Sequence, residues 1–214
     1  LAAITDIPGR VTAVQRTWLD PVRAEKARLE EPRRSLGEQL GHGVRFGRAT
    51  DVVLVGEGVE TVLSIRSALP RMPAVAGLSA NHLGALLLPK RLKRLYIARD
   101  RDCDGEAAAV RLRKAAERQN CEVVDLVPRA GDFNADLRRW GPADLRRRLM
   151  QHLSPEDTGR FGEPSCADEE GEEDGEARRS ALPSGRAHGG GPGFARRPSG
   201  AGGPWPEVER HEPP

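Results

Sequence analysis

Acidic side chains close one apolar run after another along this sequence. Glu57 directly follows Asp51-Val52-Val53-Leu54-Val55-Gly56. Asp100, Asp102 and Asp104 stand at alternate positions just after Leu92-Lys93-Arg94-Leu95-Tyr96-Ile97-Ala98, and Asp132, Asn134 and Asp136 follow Glu122-Val123-Val124-Asp125-Leu126-Val127 by way of Gly131. Carboxylates gathered at one place repel, by about 1 kcal/mol for a pair at ~4 Å in water and several times that near a protein surface. A hard divalent cation removes the penalty, and a donor set made only of oxygen suits Mg2+ or Mn2+.

Other chemistries fit the spacing less well. Asp100-x-Asp102-x-Asp104-Gly105 opens like a calcium loop, yet its twelfth position is Arg111 instead of the bidentate glutamate, and a strand pattern rather than a helix precedes it. A phosphoaspartate phosphatase places Asp-x-Asp after its first strand, whereas here the pair follows the third. A polar loop that caps a helix at Asp104 and Gly105 remains an alternative, weakened by Glu57 at the end of a different strand. Tyr96, the only tyrosine, lies inside a strand pattern and is expected to pack in the sheet.

The elements that position these groups alternate. Short β-branched runs over 51–56, 74–77, 92–98 and 122–127 read as buried strands. Between them, Val59 to Leu69 recurs at helical spacing, Ser79 can cap a helix that stops by Pro89, and Gly105 to Gln119 is rich in helix formers. A last helix is expected from about Pro142, a fitting first-turn proline, to His152. This alternation predicts an α/β fold with a parallel sheet of about four strands, helices on its faces and right-handed crossovers. In such sheets ligands sit beyond the carboxyl ends of the strands, where the carboxylates fall.

Composition divides the chain further. Residues 1–50 read as a β-rich lead-in, with strands around Val11–Leu19 and Val44–Phe46 and a polar, basic stretch between them; 51–153 form the α/β domain. From Ser154 to Pro214, 12 of 61 residues are Gly and 9 are Pro, with Leu182 and Val208 the only branched aliphatics. Burial there cannot offset a chain entropy of about 1–2 kcal/mol per residue, so a disordered tail is expected. That tail carries 7 Lys/Arg against 13 Asp/Glu, while residues 1–153 hold 27 basic and 19 acidic groups. A basic folded part favours a polyanionic partner. No apolar run approaches the ~20 residues of a membrane span, so a membrane partner is not expected. Three scattered cysteines form neither a disulfide framework nor a CxxC pair, and a reducing, cytoplasmic compartment is expected. The chain starts at Leu1, not Met, and is expected to be a fragment of something longer.

The ordered set Val55-Gly56-Glu57-Gly58-Val59-Glu60-Thr61, Leu78-Ser79-Ala80-Asn81-His82-Leu83, Ala98-Arg99-Asp100-Arg101-Asp102-Cys103-Asp104-Gly105 and Gly131-Asp132-Phe133-Asn134-Ala135-Asp136-Leu137 resembles a Toprim domain. It is most similar to the Toprim-containing, primase-like proteins of bacterial plasmids, phages and integrated elements, over about residues 8–158. The resemblance implies that Glu57 is a metal ligand or general acid/base at the reacting phosphate. It implies that Asp100 and Asp102 hold Mg2+ (or Mn2+), that Asp132 is a further acidic ligand, and that Asn134 and Asp136 support it. Asp104 is divided between a metal role and a helix cap. Glu60 is expected to be exposed or supporting.

What the resemblance implies for function is metal-dependent nucleotidyl transfer, RNA primer synthesis on DNA, with single-stranded DNA template and ribonucleotides as partners and a replicative helicase as a further candidate. Arg99, Arg101, Arg111 and Lys114 are the expected nucleic-acid contacts, through phosphates and without sequence readout. A Toprim nuclease or topoisomerase module, and an inactive nucleic-acid-binding Toprim, stay open as alternatives.

Overall fold

The computed structural model describes residues 1–23, 25–101 and 103–162. The lead-in forms a three-stranded antiparallel sheet, β1 (Ala2–Thr5), β2 (Val11–Thr17) and β3 (Arg33–Gly37), in the order β1-β2-β3. Period-two alternation sorts its faces: Ile4, Ala13 and Gln15 are buried, whereas Val14 and Leu36, which pair across β2 and β3, are exposed. The same alternation turns Arg33 and Ser35 towards the protein, Ser35 accepting a 3.4 Å hydrogen bond from Gln15.

The second sheet has five strands in the order β4-β6-β5-β7-β8. These are β4 (Val44–Phe46), β5 (Val52–Gly56), β6 (Ala74–Ala76), β7 (Arg94–Ala98) and β8 (Glu122–Leu126). The four expected strands pair in parallel. The lead-in adds β4 as an antiparallel edge on β6, with Val44 opposite Ala76, so the sheet is mixed and not wholly parallel.

Helices cover both faces: α1 (Val59–Ala68), α2 (Ala80–Gly84), α3 (Cys103–Glu117), α4 (Phe133–His152) and α5 (Pro155–Phe161). Every residue of β5 is buried. Leu54, Tyr96 and Leu126 pack with Val62 and Ile65 of α1 and with Phe133, Leu145 and Leu149 of α4. Val53, Val55, Leu95 and Ile97 point the other way, to Leu83 of α2 and to Ala108 and Leu112 of α3. Gly77 is required at the turn into α2, because a Cβ there would lie 2.7 Å from Leu83 Cα.

Two boundaries differ from expectation. Helix α4 begins at Phe133 rather than near Pro142, because the Asp132 carboxylate caps it, accepting from Ala135 N at 2.6 Å. The expected start is a break within the helix: Gly141 takes φ 79° and Pro142 restarts the turn. The expected tail also starts too early. Residues 155–161 form α5, capped by the Ser154 hydroxyl accepting from Asp157 N at 3.2 Å, with Phe161 in the core. The remainder of that expectation, residues 163–214, lies outside the described residues. No described helix is long and apolar enough to cross a membrane.

Candidate functional site

The carboxyl ends of β5, β7 and β8 lie side by side in the sheet, and each hands the chain to a candidate site residue. Glu57 follows β5; its carbonyl accepts from Leu78 N at 2.7 Å and ties this turn to the one after β6, where Leu78 takes φ 79°. Asp100 stands two residues past β7, in a loop pinned by Arg99 N to Leu126 O at 3.2 Å and Arg101 N to Gly131 O at 3.2 Å. Asp132 and Asn134 open α4.

Glu57, Asp100, Asp132 and Asn134 line one cleft of about 620 Å³, together with Gly58, Glu60 and Thr61 of the α1 entry and Arg138 of α4. Leu19, Glu25, Lys26 and Arg33 of the lead-in complete the lining. Lys26 is positioned by a turn that Asp20 builds, its carboxylate accepting from Val22 N and Arg23 N at 2.9 and 3.1 Å, and by the Leu19–Lys26 bridge that closes it. Lys26 Nζ stands 3.2 Å from Glu60 Oε1, and the Arg33 guanidinium hydrogen-bonds the same oxygen. Burial works to raise the Glu60 pKa, but its own backbone hydrogen bond, the charges of Arg33 and Lys26 and the Arg33 hydrogen bond hold it below the usual carboxylate range.

The donors are all oxygen, as a hard dication requires. Among the described residues no three His, Cys, Asp or Glu side chains form a ready-made cage. Mg2+ does not demand one, since it keeps several waters and is commonly bound by one or two carboxylates plus substrate phosphates. Asp102, expected as a ligand, lies outside the described residues, and so does the side chain of Asp104.

The structure separates other expected site residues from the cleft. Asp136 is 1% exposed and faces inward, accepting from Arg129 N at 2.8 Å, Ala130 N at 2.7 Å and Arg148 Nη1 at 2.9 Å. It braces the loop before α4. Arg99 and Arg101 line a separate hollow of about 400 Å³ with Cys103 and Glu106, Arg99 standing 3.8 Å from Asp125. Arg111 lies along α2, 3.4 Å from Ala80 O, and Lys114 is in the last turn of α3. Tyr96 is fully buried. Lys26 and Arg33 were passed over in the sequence as part of a polar, basic stretch; the turn signal at Asp20-Pro21 and the alternation around Arg33 are the cues that could have found them.

Residues 52–143 match the family model described as the Toprim domain. This segment is a Toprim domain. Residues 1–46, which supply Lys26 and Arg33 to the Toprim cleft, match a model described as a domain of unknown function (DUF7146). A comparison with curated proteins gave no match. Among solved structures, the chain is similar to the crystal structure of the Aquifex aeolicus primase (zinc binding and RNA polymerase domains), at 22% identity and a TM-score of 0.47. The similarity covers 71% of this chain and 39% of that one, so the chain spans well under half the length of the primase fragment.

Proposed function

We propose that the cleft carries out primase-type nucleotidyl transfer, joining ribonucleotides on a single-stranded DNA template. The observation that carries this reading is the meeting of Glu57, Asp100 and Asp132 in one cleft at the carboxyl ends of three neighbouring Toprim strands. Asp100, Asp132 and Glu57 would hold Mg2+, with Asn134 offering a neutral oxygen. When bound, the cation supplies charge neutralisation at phosphate oxygens and eases deprotonation of an attacking hydroxyl. Glu57, half-buried and with its backbone held by the Leu78 contact, would accept that proton or orient the hydroxyl where it is not itself bound to the cation. Arg138, one turn beyond Asn134, adds positive charge on the same side of α4 as the cleft.

The test is to incubate the 214-residue chain with single-stranded DNA, labelled ribonucleotides and Mg2+. Short RNA products that disappear in Asp100→Asn are expected. Cleavage of the DNA without RNA synthesis would point to the nuclease alternative, and binding with neither product to an inactive Toprim; either outcome overturns the reading.

A further inference from the structure

A second cavity, of about 670 Å³, opens away from the Toprim cleft, beside the edge strand β4. Val53 of β5 and Val75 of β6 form its floor, and Val53 stands four residues, about 13 Å, back along β5 from Glu57. Its walls are apolar, with Ile7 and Pro8 from the turn between β1 and β2, Ala49 after β4 and Pro89 before β7. Ile7 is 43% exposed, so that wall lacks an apolar partner. Among the described residues, Arg45 and Arg48 are the only charged groups in the lining. A concave, largely apolar space of this size with a few fixed polar groups has the make-up of a small-molecule site.

Arg45 is held ready for an acceptor that the surrounding chain does not supply. Its partner across the ladder is Val75, which puts both side chains on the same face of the sheet. Nε donates to Thr5 O and Asp6 O at 3.3 and 3.0 Å, whereas Nη2 is buried with no hydrogen-bond partner. A buried donor left unmet is costly, and native proteins rarely tolerate one. Nearby acids do not neutralise the two arginines. Asp6, whose charge reaches Arg45, accepts from N and Nε of Arg10 at 2.8 Å each. Asp51, the next acid after Arg48, is engaged by Thr50, Lys93 and Arg160. Arg66, near Gly47, donates to Met72 O at 2.9 Å, and Lys90 beside Pro89 adds further positive charge. Arg48 is exposed and has no carboxylate partner among the described residues.

We propose that this cavity is a second ligand site, which takes an organic phosphate monoester. The phosphoryl group sits on Arg45 and Arg48, and the organic body lies against Ile7, Pro8, Val53 and Pro89. A phosphate monoester carries about −1.5 to −2 charge at pH 7 and three acceptor oxygens, enough for two guanidinium groups. A carboxylate has one charge and is filled by a single guanidinium fork. The site does not depend on the nucleotidyl-transfer reading, since it shares no residue with the Toprim cleft.

Titration of the 214-residue chain in EDTA, which keeps divalent cations from drawing phosphate to the Toprim cleft, tests the assignment. Phenyl phosphate is the probe; inorganic phosphate lacks its apolar body and benzoate its second charge. One saturable site is expected, at least fivefold tighter for phenyl phosphate than for either comparison ligand. Arg48→Glu is expected to lose at least tenfold in affinity while melting as the wild type does. Arg45→Lys, which keeps the charge without the fork, should lose several-fold; if it melts early for want of the Thr5 and Asp6 contacts, Arg48→Glu decides. Asp100→Asn, in the Toprim cleft, is expected to bind as the wild type does. No saturable binding at millimolar phenyl phosphate overturns the proposal, as does wild-type affinity in Arg48→Glu or equal affinity for benzoate. A changed affinity in Asp100→Asn also overturns it, by placing the ligand in the cleft. Adenosine 5′-monophosphate sorts the source of the phosphate: tighter binding than phenyl phosphate identifies a nucleotide, weaker binding an ester with a smaller body, and the site stands in both cases.

Discussion

The Tyr96 phenol donates a 2.7 Å hydrogen bond to Asp157, joining the middle of β7 to α5, and neither residue has any surface in contact with solvent. Arg94 donates to the same carboxylate oxygen at 2.6 Å, and Ser154 N donates to the phenol oxygen at 3.0 Å. Burial, followed by the neighbouring Asp157 carboxylate, raises the phenol pKa. The only phenol able to form a covalent link to DNA is thus a packing group, sealed by the helix that follows the Toprim segment. Tyr96→Phe removes both hydrogen bonds and leaves a buried carboxylate short of a donor, so it is expected to cost about 1–3 kcal/mol in urea unfolding and to leave any metal-dependent activity unchanged.

Asp157 is the more sensitive partner. Its carboxylate is wholly buried, and removing it takes the acceptor from the Tyr96 phenol and leaves the 15% exposed Arg94 guanidinium with the exposed Glu122 as its remaining acidic partner. Breaking a buried pair by removing one member costs about 3–5 kcal/mol. Asp157→Ala should therefore lower the urea midpoint sharply, and a midpoint equal to the wild type would show that α5 is not part of the folded unit.

Arg160 extends the same helix to Asp51 at the entry of β5, with nitrogens 3.0 and 3.4 Å from the carboxylate oxygens. The Arg160 hydrogen bonds, then that of Thr50, lower the Asp51 pKa to about 2. A depressed folded-state value means that stability from this group is present above the unfolded pKa of about 3.9 and is lost as pH falls towards 2. Arg160→Met should weaken the protein by about 1 kcal/mol at neutral pH, both partners being partly exposed, and should flatten the fall in stability between about pH 4 and 2. Urea midpoints of both proteins across that range measure the slope.

The parts of the fold legible in the sequence are those whose pattern reports burial directly. Val52 to Gly56, Arg94 to Ala98 and Glu122 to Leu126 are short β-rich runs, and the strand ends put Glu57, Asp100 and Asp132 where the sheet needs them. Helix α5 was hidden because its key buried side chain is an aspartate, invisible to a hydrophobic pattern and set among glycines and prolines. Strand β3 was hidden because Arg33-Arg34-Ser35-Leu36-Gly37 buries none of its residues fully and leaves Leu36 in solvent. Lys26 and Arg33 gain meaning only through Glu60, which lies 27 or more positions away and on another element.

Asp132 and Asp136 show the limit most sharply, since both follow the same strand and stand one helical turn apart. Asp132 lines the cleft and caps α4 through Oδ1, leaving its charge available to a cation; Asp136 is turned under the helix against two backbone amides and Arg148. Asparagine caps a helix about as well as aspartate, so Asp132→Asn should keep the wild-type urea midpoint, whereas Asp132→Ala should lose about 0.5–2 kcal/mol. If the proposed metal-dependent activity holds, Asp132→Asn, with the charge gone, should need several-fold more Mg2+ both for half-maximal activity and for thermal stabilisation by the ion. Asp136→Ala should behave in the opposite way, losing about 3 kcal/mol or more by leaving Arg148 and two amides without their acceptor. Its remaining folded fraction should keep the wild-type Mg2+ requirement. An Asp136→Ala protein that melts normally but has lost its response to Mg2+ would return this carboxylate to the metal site.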